Sequence, residues 1–165
     1  MISVKEQDHV LHYRRSSSHS SRCLLARTPN VKYIFSHAGG TIPYLATRFS
    51  IVDEMNVIPG AEERGTAADT LRKLYWDTAL SWRPPVLHML RSVVGMGQVL
   101  FGSDYPYLRR DLAVRCRREV ETSEELDSAE RRAVLADNAL KLFPRLAARA
   151  RTEKENAQTL RTRST

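Results

Sequence analysis

Three short apolar runs alternate with stretches of helical spacing, and this alternation limits the possible folds more than any other feature of the chain. The runs cover residues 33–37, 74–79 and 98–103. Between the first two, Ile42, Leu45, Ala46, Phe49 and Val52 recur at the intervals of one helix face, with Pro43 tolerated in a first turn. Thr66 to Lys73 reads as a further short helix anchored by Leu71. Between the second and third runs, Pro84-Pro85 opens a helix whose buried stripe is Val86, Leu87, Leu90, Val93 and Val94, ended by Gly95 and Gly97. Strands separated by helices pair in parallel, because a parallel neighbour needs a crossover long enough to hold a helix. The fold class is α/β, and three strands are too few to close a barrel.

The flanks are less regular. Cys23-Leu24-Leu25-Ala26-Arg27 reads as the last turn of a helix, ended by Thr28-Pro29-Asn30. Residues 107–118 read as a loop that can hold a short helix. Thr122 with Glu125, and Asp127 with Glu130, both have capping-box spacing. Val134, Leu135, Leu140, Leu142 and Phe143 supply the last apolar faces. Asn138 reads as a cap between two short helices, and Pro144 as the end of the ordered pattern. Residues 1–22 are polar and aperiodic and predict a disordered or unrelated extension, 23–150 the folded body, and 151–165 a disordered basic tail.

The net charge of +7 suggests nucleic acid until it is located. Residues 1–32 and 145–165 each carry six basic against two acidic side chains, and the body between them is net −1. The arginines at 109, 110, 115, 117 and 118 are diluted by Asp111, Glu119 and Glu121. A nucleic-acid partner is therefore not expected. A basic-tailed binder would show salt-dependent binding that disappears with both ends. No apolar stretch approaches the ~20 residues of a membrane span. Two cysteines, Cys23 and Cys116, give no disulfide framework. A cytoplasmic protein without membrane partner is the expectation.

Two of the apolar runs end in residues suited to chemistry, His37 and Asp104. A carboxylate just past a buried strand is costly unless paired or metal-bound, although it could also cap the next helix. His37 is followed by Gly39-Gly40, which lets backbone or ligand approach closely. A lone strand-end histidine is otherwise most often a hydrogen-bonded structural residue. Asp77 reads as a loop-bracing or capping carboxylate, His88 as structural or surface, and Arg48 alone as a solvated charge. His9-x-x-His12 lacks the i, i+4 or i, i+2 spacing of a metal pair on a helix or strand.

Ser36-His37-Ala38-Gly39-Gly40-Thr41-Ile42-Pro43-Tyr44-Leu45 with Arg48-Phe49, then Tyr75-Trp76-Asp77-Thr78-Ala79, Leu100-Phe101-Gly102-Ser103-Asp104-Tyr105-Pro106-Tyr107 and Asp137-Asn138-Ala139-Leu140-Lys141-Leu142-Phe143, form an ordered set of motifs. From about Cys23 to Leu146 the chain resembles the amidohydrolase-related metal-dependent decarboxylases, which act on aminocarboxymuconate semialdehyde, resorcylate or methylsalicylate. The methylsalicylate branch is the most similar. The resemblance implies a partial TIM (β/α)8 barrel made of strands six to eight with their helices. It implies a divalent metal, zinc first and manganese second, with Asp104 as a ligand from the last strand. It makes His37 the catalytic histidine and Arg48 the group that binds a substrate carboxylate. The substrate class it implies is a small aromatic or unsaturated carboxylic acid, and the assembly a homodimer or other homo-oligomer.

The family's His-x-His on the first strand, and its third metal-ligating histidine, have no counterpart in this sequence. One carboxylate does not hold a catalytic metal, for which three protein ligands are usual. The expectation is thus the C-terminal part of a carboxy-lyase, inactive as this chain. The alternatives are a metal-dependent hydrolase of a lactone or amide, which releases no carbon dioxide, and a non-catalytic interaction module or barrel fragment, which associates through open sheet edges.

Overall fold

The computed structural model describes residues 25, 27–55, 65–150 and 152. The expectations for residues 1–22, for His9 and His12, for Cys23 and for the basic tail beyond residue 152 lie outside the described residues.

The alternation of the sequence is realised as a parallel three-stranded sheet in the order β1 (Ile34–Phe35), β2 (Tyr75–Asp77), β3 (Val99–Leu100). Ile34 pairs with Tyr75 and Phe35 with Trp76, and Trp76 pairs with Val99 and Asp77 with Leu100. Each strand is shorter than its apolar run. β1 is followed at once by a left-handed turn at His37 (φ 54°), and the chain turns left-handed again just past the other two runs, at Leu80 (φ 52°) and Asp104 (φ 58°).

The helix after β1, α1 (Ala46–Glu54), begins four residues later than its apolar spacing predicts. Residues 40–45, Pro43 included, are turns instead. Next, α2 (Ala67–Arg72) starts at a capping box between Thr66 and Asp69, and the Ala67 N–H also donates to Asp53 Oδ2 at 2.6 Å. The crossover to β3 is α3 (Pro84–Val93), whose prolines occupy the first turn, where no N–H is needed. Its Leu87 and Leu90 are fully buried with Trp76, Val99, Val120 and Val134. Gly95 closes it by donating to Leu90 O and Arg91 O.

The C-terminal third departs most from the sequence reading. Residues 107–109 are loop, and the short helix read after them is longer than expected: α4 (Arg110–Glu121) runs twelve residues and buries Cys116 and Val120. Its exposed side is braced by Arg115–Glu119 and Arg117–Glu121, pairs four residues apart. Thr122 is not an N-cap; it ends α4, with its hydroxyl donating to Arg118 O at 3.0 Å. The capping box at Asp127 and Glu130 is real and opens α5 (Ser128–Arg132). A π-helical turn, Ala133–Asp137, then leads into α6 (Asn138–Leu142). Pro144 opens a further helical stretch, 144–150, rather than ending the pattern.

Asn138 is not a cap. It is 1 % exposed, and its Nδ2 donates to Met96 O and Val99 O, both at 2.8 Å. Just beyond β3 the Phe101 N–H donates to Val134 O at 2.9 Å. Leu100 O accepts from Thr78 N on the β2 side, so Val99 and Phe101 face the opposite edge. That outer edge is thus occupied by the π turn and Asn138, which satisfies groups that a bare edge strand would expose.

Candidate active site at the strand ends

The C-terminal ends of the three strands are stitched together by short polar side chains. Asp77, the last residue of β2, places Oδ1 where it accepts from His37 N at 2.9 Å and from Ala79 N at 3.0 Å. His37 answers with its ring: Nδ1 lies 3.1 Å from Ala79 O. On the other side, the buried Thr78 hydroxyl donates to Gly102 O at 3.2 Å and accepts from Gly102 N at 3.1 Å. The β1 end is therefore tied to β2 through Asp77, and the β3 end to β2 through Thr78.

Two glycines make this close approach possible. Gly39 has φ 73°, and a Cβ there would sit 2.2 Å from Trp76 Cζ3, so its backbone rests directly on the indole. A Cβ at Gly102 would lie 3.2 Å from both Asp77 Cγ and Ala79 N. The Gly102-Ser103 step thus brings β3 up to the Asp77 carboxylate.

Asp77 is half-buried, and burial pushes its carboxyl above the ordinary aspartate value. The N–H bonds from Ala79 and His37 and the charge of His37 pull it back, while the charge of Asp104 adds a smaller push upward. The structure thereby brings His37, Asp77 and Asp104 into one electrostatic neighbourhood.

Asp104 is half-buried and left-handed, with φ 58°. Its carbonyl accepts from Leu108 N at 2.8 Å, but α4 begins at Arg110 behind Arg109, so the carboxylate caps no helix. Among the described residues its side chain has no hydrogen-bond or ion-pair partner. The loop-bracing role read for Asp77 is the one the structure shows. His88 is an exposed surface residue 3.2 Å from Glu125 Oε2. Arg48 stands exposed on α1, without a bond to His37 or Asp104. Cys116 is no nucleophile: burial pushes its thiol up to about 11.

Sequence reasoning missed the Ala79 carbonyl and the Thr78 hydroxyl. The only available signal was that they follow Asp77 directly. A metal fits this set poorly. Among the described residues no three His, Cys, Asp or Glu side chains converge on one point. Asp77 Oδ1 and His37 Nδ1 are already engaged, leaving Asp104 as the one carboxylate of the group without a protein partner.

The model of the Amidohydrolase family matches residues 9–145. The chain belongs to the amidohydrolase family. It is 38 % identical over 125 residues to 6-methylsalicylic acid decarboxylase of Penicillium expansum, a match covering 74 % of this chain and 38 % of that enzyme. The amidohydrolase chain thus spans well under half the length of this curated relative. Among solved structures, 4-oxalomesaconate hydratase from Rhodopseudomonas palustris superposes with a TM-score of 0.69 at 22 % identity, over 95 % of this chain and 49 % of that one. A dihydroxybenzoic acid decarboxylase from Polaromonas sp. JS666, solved with bound manganese, gives 0.63 at 19 %, over 87 % and 48 %. At these identities the structures establish the shared amidohydrolase fold and no more.

Proposed function

We propose that this chain is the C-terminal part, strands six to eight, of a TIM-barrel enzyme that decarboxylates a small aromatic or unsaturated carboxylic acid. The observation that carries the reading is His37, bonded to Asp77 at the end of β1, and Asp104 past the end of β3, in a chain so similar to a methylsalicylate decarboxylase. Barrel enzymes work at this end of the strands. In this reading residues 23–150 are the barrel part and 151–165 lie outside it, while the family match reaches back to residue 9, into the segment 1–22.

In the parent enzyme Asp104 would be one donor to a divalent metal, manganese or zinc, which would supply Lewis-acid polarisation of the substrate. The manganese of the Polaromonas structure supports a metal-dependent reading without selecting between the two. Decarboxylation breaks the bond between a carbon and its carboxylate, and the electron pair left on that carbon takes a proton. His37, held at Nδ1 by a carbonyl, has Nε2 available to hold and move that proton. Arg48, exposed on the helix after His37, is the candidate for the substrate carboxylate, directly or across a homo-oligomer interface.

The test is carbon dioxide release from 6-methylsalicylate and a panel of hydroxybenzoates, with manganese or zinc supplied. The chain is assayed alone and co-expressed with the remainder of the Penicillium relative. The co-expressed pair is expected to release carbon dioxide, and Asp104→Asn and His37→Gln each to lower the rate by about 100-fold or more. An assembled pair that hydrates an unsaturated acid or opens a lactone, and releases no carbon dioxide, overturns the reading.

A further inference from the structure

We propose that Asp77 is the positioning residue for His37: it clamps the His37 backbone to the Ala79 turn, so that the Ala79 carbonyl holds Nδ1–H and Nε2 is left as the basic ring nitrogen. Three hydrogen bonds close a circuit. Asp77 Oδ1 accepts from His37 N and from Ala79 N, and His37 Nδ1 returns to Ala79 O at 3.1 Å. The same residue, Ala79, is thus fixed by Asp77 and in turn fixes the imidazole.

A backbone carbonyl only accepts, so the nitrogen facing it carries the proton. In the neutral ring the other nitrogen, Nε2, then has the free lone pair. The backbone of His37 needs holding as well. Its φ of 54°, followed by 54° at Ala38 and 73° at Gly39, is a run of left-handed residues that persists only where the surroundings impose it. Gly39 is pressed onto Trp76 from one side, and Gly102 packs against Asp77 and Ala79 from the other. The carboxylate is therefore fixed between β1 and β3, and it spans the 40 residues that separate it in sequence from His37. The inference rests on the proposed function only for what the freed Nε2 is used for. The clamp itself is a property of these residues.

The test is nuclear magnetic resonance of the isotopically labelled full chain at a pH where histidine rings are neutral, with His37 assigned through His37→Gln. Long-range proton–nitrogen spectra report which ring nitrogen is protonated. The wild type is expected to show His37 as the Nδ1–H form. Asp77→Asn, whose amide oxygen still accepts both N–H groups, should retain it. Asp77→Ala should lose that preference while the signals of His88 stay in place. A wild-type His37 in the Nε2–H form overturns the proposal, as does a folded Asp77→Ala that keeps Nδ1–H. If Asp77→Ala does not fold, the wild type decides. Couplings across the hydrogen bonds from the His37 and Ala79 amides to the Asp77 carboxyl carbon support the clamp, and their absence overturns it. None of these readouts uses metal, substrate or turnover, so a failure of the decarboxylase reading is seen separately.

Discussion

Gly39 has two independent reasons to lack a side chain, a left-handed backbone and an indole 2.2 Å from where a Cβ would lie. Gly39→Ala should therefore cost about 3 kcal/mol or more, from backbone strain and overpacking together, measured by urea denaturation. Asp104 behaves in the opposite way. Its carboxylate has no protein partner among the described residues, so Asp104→Asn should change stability by less than about 0.5 kcal/mol in the same measurement. Asp77 carries a pH signature. Its folded carboxyl titrates above the ordinary 3.8, so ionising it disfavours the folded state. Folding is favoured below 3.8 and loses that contribution as the pH rises through the folded value. Asp77→Asn should then gain stability relative to wild type over that rise, seen as a difference in denaturation midpoint between acidic and neutral pH.

Elements in the C-terminal third depend on contacts that no local pattern announces. Asn138 donates to carbonyls 42 and 39 residues away, Met96 O and Val99 O, from a site that is 1 % exposed. Asn138→Ala leaves both carbonyls without this donor and should cost about 2–4 kcal/mol by chemical denaturation. Exchange of the Phe101 amide should quicken as the β3 edge loosens. By sequence alone Asn138 reads as a cap, because asparagine often is one between short helices. Only the position of β3 beside the π turn makes it a bracket. The helix α4 was hidden for a related reason. Charged residues dominate Arg110–Glu121, and its buried members, Cys116 and Val120, are too few to mark a stripe until the sheet lies against them. The strands, in contrast, were legible, because apolar runs bounded by glycine and proline are local signals.

At the scale of the whole molecule, Glu119 ties the α3 side to α4. It accepts from Trp82 Nε1 at 2.7 Å and Arg115 Nε at 2.6 Å, and pairs with Arg83 at 3.1 Å. The Arg115 bond first, and then the Trp82 bond, hold its carboxyl below the ordinary glutamate value of 4.5. A lowered folded value stabilises the fold above 4.5, and this contribution is lost as the pH falls through the folded value. Glu119→Gln should therefore reduce stability at neutral pH and flatten its decline as the pH falls below 4.5, measured as the melting temperature across an acid series. The sheet is asymmetric on the same scale. The outer edge of β3 is covered by the π turn and Asn138, whereas at β1 the Tyr33 carbonyl bonds to Tyr75 and the neighbouring Ile34 groups point away from β2. Among the described residues no helix is long and apolar enough to cross a membrane.

The sequence by itself determined the α/β class, the strand positions, the family, and the placing of His37 and Asp104 at strand ends, because hydrophobic runs and their polar terminators are set over a few neighbouring residues. Tertiary structure decided the rest. It put Asp77 between those ends, turned Ala79 O toward His37, left the Asp104 carboxylate without a partner, and made Asn138 the closure of the sheet edge. Each of these depends on groups tens of residues apart meeting within hydrogen-bond distance, and a one-dimensional pattern does not encode which distant carbonyl a side chain will face.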